Sequence, residues 1–228
     1  MKNDVCIGVI TAGNVHMACV ESLLAVVTSK VANWVFLRSC GPYLDDGRNN
    51  LVQAFLDDNF KDCSRLLMVD SDIEFRPDHV QQLIEDDLPI VSGVYQNSYS
   101  GVLKPVVYQW TDVPVIEQTP DKRFKSGYRE TVVNTLRTME PIDGWAEDDP
   151  RALVNVDGCG AGFLMIHRDV LEEFPKHYAP PQPWFAEDTY FGTHFGEDLC
   201  FNVRAAEIGI STVVDRRVVV GHHKTVRL

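Results

Sequence analysis

Along the first hundred residues the apolar pattern switches back and forth between two periods. Short apolar runs, "DVCIGVI" (4–10), "NWVFLRS" (33–39), "LLMV" (66–69) and "LPIVSGVYQ" (88–96), read as strands. Between them apolar residues recur at helical spacing. Met17, Val20, Leu24 and Val27 do so in "HMACVESLLAVVTSK", and Leu51, Val52, Phe55 and Leu56 in "RNNLVQAFLDDNF". "TAGN" between the first strand and helix is a turn in which Thr11 or Asn14 could cap the helix. "CGPYLDDG" reads as a loop, so Arg48 is expected to open the second helix. Pro77 suits the first turn of the third. This alternation predicts an α/β fold, a mostly parallel central sheet flanked by helices on both faces.

Residues 111–150 break the pattern. They are polar, hold Pro114, Pro120, Pro141 and Pro150, and show weak periodicity. An insertion or flap within a single domain is expected there. β character returns in "ALVNVDG" and "AGFLMIH", followed by a short helix in "RDVLEEF". "PKHYAPPQPWF" reads as a proline-rich loop with exposed aromatics. "GEDLCFNVRAAEIG" reads as a helix stopped at Gly209, and "STVVD" and "RRVVVGHH" as closing strands.

Composition narrows the class. The 228 residues are 45% hydrophobic and 24% charged, ordinary for a globular domain. A net charge of -12 gives no electrostatic footprint for nucleic acid. The six cysteines are scattered without a CxxC pair, which fits reduced thiols of a cytoplasmic protein. No apolar run nears the roughly 20 residues of a membrane span. The N-terminus lacks the apolar core of a signal peptide.

Candidate chemistry centres on "LLMVDSDIEF" (66–75), an apolar run that ends in Asp70, Ser71 and Asp72. Asp70 and Asp72 would point the same way in extended chain, at the carboxyl end of a strand, where open α/β sheets bind ligands. Two such carboxylates suit a hard divalent cation shared with substrate phosphates. The plainer alternative is a strand end with solvated acids. Glu197 and Asp198 open a helix, either as favourable charges at its positive end or with one carboxylate as general base for an acceptor hydroxyl. Pro183-Trp184-Phe185 is a platform for a sugar ring or simply a packed loop. Of the two late histidines, His222 follows the strand more directly than His223 and is preferred as a metal ligand. Arg48 would sit on a diphosphate or be a solvated charge. Gly158, Gly160 and Gly162 allow a ligand close to the backbone, or a bulged strand pair. His167 is assigned to packing or a helix start.

Taken in order, "VITAGNVHMACVESLLAVV", "GRNNLVQAFL", "LLMVDSDIEFRPDHVQQLI", "PIVSGVYQ", "GCGAGFLMIHRDVL", "GEDLCFNVRAAEIG" and "VVVGHH" resemble a GT-A glycosyltransferase, family 2-like, across most of the chain. The resemblance implies sugar transfer from a nucleotide-diphosphate sugar of UDP or GDP type. It implies a nucleotide-binding half (1–100) and an acceptor-binding half (101–228). Thr11 and Asn14 would lie near base and ribose, Arg48 near the pyrophosphate, and Asp70, Ser71 and Asp72 at the nucleotide sugar. Asp72, Asp70 and His222 would hold Mn²⁺ or Mg²⁺. Asp198 would deprotonate the acceptor with Glu197 positioning it, giving inversion. Gly160, Ala161 and Gly162 would floor the acceptor site near Trp184. The acceptor would be a glycan, protein, lipid or modified nucleic-acid base. The second strand ends "LRSC" where many relatives carry a base-reading acid, so the nucleobase stays open.

Two rival readings use the same residues. A haloacid-dehalogenase-like phosphatase would use Asp70 as nucleophile, although that motif usually opens its domain. A non-catalytic protein would bind nucleotide sugars on the same fold.

Overall fold

The computed structural model describes residues 5–29, 31, 34–41, 43–99, 101–120, 123, 125, 128–142 and 152–224. The chain begins β1 (Val5–Thr11), α1 (Met17–Ser29), β2 (Trp34–Cys40), α2 (Leu44–Leu56), β3 (Arg65–Asp70), β4 (Ile73–Glu74), α3 (Pro77–Asp86) and β5 (Ile90–Val94). Two hairpins follow. The first pairs β6 (Gln96–Tyr99) with β7 (Val102–Pro105), the second β8 (Val107–Pro120) with β9 (Tyr128–Pro141). The remainder is β10 (Leu153–Val156), β11 (Gly158–Cys159), β12 (Phe163–His167), α4 (Arg168–Glu173), β13 (Asp188–Tyr190), β14 (Thr193–Phe195), α5 (Glu197–Glu207), β15 (Thr212–Val219) and β16 (Gly221–His222).

Seven strands form the central sheet in the order β10-β15-β5-β12-β3-β1-β2. Strands β1, β2, β3, β5 and β15 share one direction, while β12 and β10 run against them. Side-chain alternation builds a core on each face. From β3, Leu66 and Met68 join Leu51, Val52 and Phe55 of α2 and Phe201 of α5. Leu67 and Val69 face the other way, against Val26 of α1 and Leu83 of α3. The expected sheet covered on both faces is therefore present.

Three local expectations need correction. Helix α2 begins at Leu44, so Arg48 lies in its second turn instead of opening it. Asp45 and Asp46 suit the positive end of the helix, and both accept from Gln182 Nε2. Residues 107–120 and 128–141, where an insertion or flap was expected, are the paired strands of a long ribbon, a regularity that the weak periodicity did not show. Pro114 is tolerated because β11 pairs β8 only at Val107 and Tyr108, and beyond them both strands of the ribbon are edges. Residues 143–150, the end of the expected insertion, lie outside the described residues. Third, the proline-rich loop does not expose its aromatics: Trp184 and Phe185 are buried, and Phe185 stacks on Phe201 at 4.6 Å.

Close packing beneath β12 is tightest at Gly160, where a Cβ would lie 1.9 Å from the Tyr95 hydroxyl and 2.7 Å from Val106. Gly160→Ala is expected to destabilise the fold by about 1–3 kcal/mol through overpacking. Urea unfolding checks this, and an unchanged midpoint would mean Tyr95 has room to move.

Candidate active site at the carboxyl end of the sheet

Strands β1 and β3 end side by side, the antiparallel β12 begins between β3 and β5, and the candidate residues gather there. β3 stops at Asp70 because the chain turns at Ser71 and Asp72 before β4. The Asp70 N–H donates to Gly162 O at 2.9 Å, and the Ser71 N–H to Ile10 O at 3.0 Å. The turn means Asp70 and Asp72 are not on one extended segment, and their carboxylates have different partners.

Asp72 belongs with His222. Antiparallel pairing of β16 with β4 sets His222 opposite Ile73. His222 Nε2 then lies 3.3 Å from Asp72 Oδ2. On its other side, His222 Nδ1 is 2.9 Å from Gln96 O, where Nδ1–H donates to the carbonyl. That bond orients the ring with Nε2 toward the site. The hydrogen bond to Asp72 raises the imidazole pKa against the lowering effect of burial. Burial raises the Asp72 carboxyl, but the bond and charge of His222 outweigh it and hold the pKa low. His223 turns elsewhere. It sits 2.6 Å from Glu74 Oε2 and stacks on His16 at 4.5 Å.

Asp70 belongs with Arg48. The guanidinium, 2% exposed, is spent entirely inside the protein. Nε donates to Glu197 Oε1 at 3.1 Å, Nη1 to Ala161 O at 3.2 Å and Nη2 to Asp70 Oδ2 at 3.3 Å. This acid–arginine–acid bridge ties the end of β3 to the start of α5, through an Arg48 that is 149 residues from Glu197 in sequence. Arg48 is thus a strut between two carboxylates, not a free diphosphate clamp. Burial pushes the Asp70 carboxyl pKa up, and Arg48 pulls against it. Asp70 Oδ1 is buried and makes no hydrogen bond, although Arg48 Nη2 is 3.1 Å away.

Asp198 follows Glu197 in the first turn of α5. Its Oδ1 accepts from the Leu199 N–H at 2.8 Å. Burial, then the neighbouring Glu197 charge, pushes its pKa up to about 6, against the lowering effect of Arg48. A carboxylate tuned that way is suited to exchange protons near neutral pH.

The remaining sequence candidates divide. Ala161 is buried and reaches the bridge through its carbonyl. Gly162 packs against Tyr95 and lies close to Asp70, a built Cβ meeting Oδ2 at 3.1 Å. The Thr11 hydroxyl is occupied inside its own loop, donating to Asn14 O at 2.7 Å and accepting from the Gly13 N–H. Asn14 is exposed and Ser71 half-buried. Trp184 is 3% exposed and donates Nε1–H to Leu171 O at 2.7 Å, so it offers no exposed sugar platform. Tyr95 was missed. It follows β5, its hydroxyl accepts from the Gly162 N–H at 3.2 Å, and its ring meets His222 edge-on at 5.2 Å. The signal was its position at a strand end, the same one that marked Asp70.

Among the described residues, no group of three or more His, Cys, Asp or Glu side chains converges closely enough to hold a metal ion. The donor set nonetheless fits a hard cation that completes its shell from a diphosphate and water, since one or two protein ligands suffice there. Asp72 and His222 provide a paired carboxylate and imidazole, and Asp70 Oδ1, two residues before Asp72, faces Arg48 but accepts no hydrogen bond among the described residues.

No protein-family model and no curated protein matches the sequence. Solved structures do match. A197 from STIV superposes with a TM-score of 0.55 at 16% identity, over 97% of this chain and 86% of that one. GalNAc-T7 with UDP, GalNAc and Mn²⁺ superposes with a TM-score of 0.57 at 11% identity, over 99% of this chain but only 44% of that one. At such identities the likeness is one of fold. The chain has a mixed α/β, GT-A-like fold with its acids at the carboxyl end of the sheet. Among the described residues, no helix is long and apolar enough to cross a membrane.

Proposed function

We propose that the chain is a metal-dependent, family 2-like glycosyltransferase that moves a sugar from a nucleoside-diphosphate donor to an acceptor hydroxyl. One observation carries the reading. Residues far apart in sequence, Asp72 with His222 and Asp70 with Arg48 and Glu197, meet at one sheet end beside an acid tuned to about 6, Asp198. GalNAc-T7, alike in fold, was solved with UDP, GalNAc and Mn²⁺, which makes a UDP-type donor and Mn²⁺ the first choices. Asp72 and His222, with Asp70 Oδ1 in reserve, would hold the cation. When bound, it would neutralise charge on the departing diphosphate.

The chain's own groups supply the rest. The Asp198 carboxylate takes the proton of the acceptor hydroxyl. The acceptor oxygen bonds to the anomeric carbon as the bond to the diphosphate oxygen breaks, and the diphosphate leaves with the electron pair. In-line attack of this kind inverts the anomeric centre. Arg48 holds Glu197 and Asp70 in place, and Tyr95 sets the Gly162 backbone. Thr11 and Asn14 shape the loop expected near base and ribose. A cytoplasmic setting fits six cysteines that are all free, five of them buried.

Nucleotide binding is tested by thermal shift with UDP, GDP and CDP and their sugar conjugates, with and without Mn²⁺. A ligand at 100 times its Kd stabilises by about 2.7 kcal/mol, or roughly 5–11 °C for a chain of this size. One nucleotide is expected to give such a shift only with Mn²⁺, and Asp72→Asn to abolish it. A folded protein that shifts with none of them would sink the donor site.

A further inference from the structure

A cavity lies beyond the acid cluster, between the β8–β9 ribbon, the β13–β14 turn and α5 from Asn202 onward. Its volume is 660 Å³, within the range of small-ligand sites. Asp198 is in the first turn of α5 and Glu207, which lines the cavity, is its last residue. At about 1.5 Å per residue, the wall that α5 gives the cavity runs from roughly 6 Å beyond Asp198, at Asn202, to roughly 13 Å, at Glu207.

Two features of this cavity point to a ligand. The first is Phe191. It occupies the two-residue turn between β13 and β14 at φ 53, followed by Gly192 at φ 82. Two positive φ values in such a turn favour Asn-Gly or Gly-Gly, and an aromatic residue there is strained. It is nonetheless 60% exposed, so burial does not compensate for the strain. Its ring meets Trp110 edge-on at 5.3 Å, and the Arg137 guanidinium lies 5.3 Å from its centroid. Strain kept at an exposed aromatic is what a ligand clamp looks like. The second is Thr212. It is 3% exposed and lines the cavity, and its hydroxyl has no hydrogen-bond partner among the described residues.

We propose that this cavity binds a sugar ring of a glycan, as a remote subsite. Phe191 is the stacking platform for the C–H face of a pyranose, through the ring face that Arg137 does not cover, with Trp110 edge-on to it. Asn155, Glu207 and Thr212 on the walls supply donors and acceptors for ring hydroxyls. A nucleotide is disfavoured. Arg137 is already engaged by two aromatic rings, and the carboxylates of Asp157 and Glu207 would repel a phosphate. That the glycan is the acceptor rests on the transferase reading, but sugar binding by the cavity does not.

The test measures binding of glucose-, galactose-, mannose- and N-acetylglucosamine-based trisaccharides by calorimetry and protein-observed NMR. At least one is expected to bind and to perturb Trp110 and Phe191 resonances. Phe191→Asn suits the turn better, so its melting temperature should be unchanged or up by as much as about 4 °C. Its glycan affinity should fall tenfold or more. Asp72→Asn should keep glycan binding while losing the Mn²⁺-dependent nucleotide shift, which separates failure of this subsite from failure of the donor site. Absence of binding by every trisaccharide up to 10 mM, a threshold set near the weak end of roughly millimolar recognition, overturns the proposal. So does a Phe191→Asn protein that binds as well as the parent.

Discussion

Asp198→Asn is expected to lower kcat by about 10²–10⁴-fold, the range for losing a general base. On the proposed mechanism the parent should show kcat rising with pH up to about 6 and then level, because the carboxyl must be unprotonated to accept the hydroxyl proton and its pKa is held near 6. The variant's residual rate should lack that inflection. The stability consequence has the opposite sign. A carboxyl whose folded pKa lies above its unfolded value favours the folded state at low pH, and that contribution is lost as pH rises through about 6. At pH 7 the variant should therefore be at least as stable as the parent, so that inactivity cannot be ascribed to unfolding. Transfer assays across pH 5–8, alongside thermal melts, check both. A variant that keeps the inflection would move the base to another group.

Arg48→Ala is expected to be the most destabilising single change in the site. Asp70 and Glu197, with side chains 25% and 13% exposed, would be left facing each other without the cation between them. Removing one partner from a buried ion pair costs about 3–5 kcal/mol, roughly 6–20 °C in melting temperature. If charge is the cause, Arg48→Met combined with Asp70→Asn and Glu197→Gln should recover most of the loss, because no buried charge then goes uncompensated. Failure to recover would assign the effect to packing against Phe185, whose centroid is 5.9 Å from the guanidinium carbon. Either way, the bridge separates two roles that neighbouring acids hide. Asp70 and Glu197 are held by a cation, whereas Asp72 and Asp198 keep their carboxylates for other partners.

Where the pattern of apolar residues was strong, the architecture could be read directly. The four early strands and the helices α1, α3 and α5 follow from short β-rich runs, helical spacing, Pro77 and Gly209. The face expected to be buried on α1 was wrong, however: Met17 and Leu24 are exposed, and Cys19, Ser22 and Val26 face the core. Helix α2 was misplaced at its start because "DDG" resembles a loop, yet Gly47 is buried there, near Ile10 and Ser39. The long ribbon was hidden for a related reason. Most of β8 beyond Pro114 is exposed, so it carries no alternation of apolar and polar residues. Its strands exist through pairing with each other, and pairing leaves no mark on a single strand's composition.

By itself, the sequence determined the α/β class, the two-faced sheet and the concentration of acids at strand and helix ends. These depend on local periodicity and on residue type, which adjacent positions carry. Only the tertiary structure decided which acid meets which partner. Asp70 and Asp72 look equivalent two residues apart, but a turn sends one to Arg48 and leaves the other to His222. Trp184 looks like an exposed platform until the fold buries its ring and bonds its Nε1–H to the Leu171 carbonyl. Phe191 is unremarkable in the sequence, and becomes conspicuous only as a strained, exposed ring beside a cavity. Such pairings join residues up to 150 positions apart, and they are set by strand register and packing rather than by spacing along the chain.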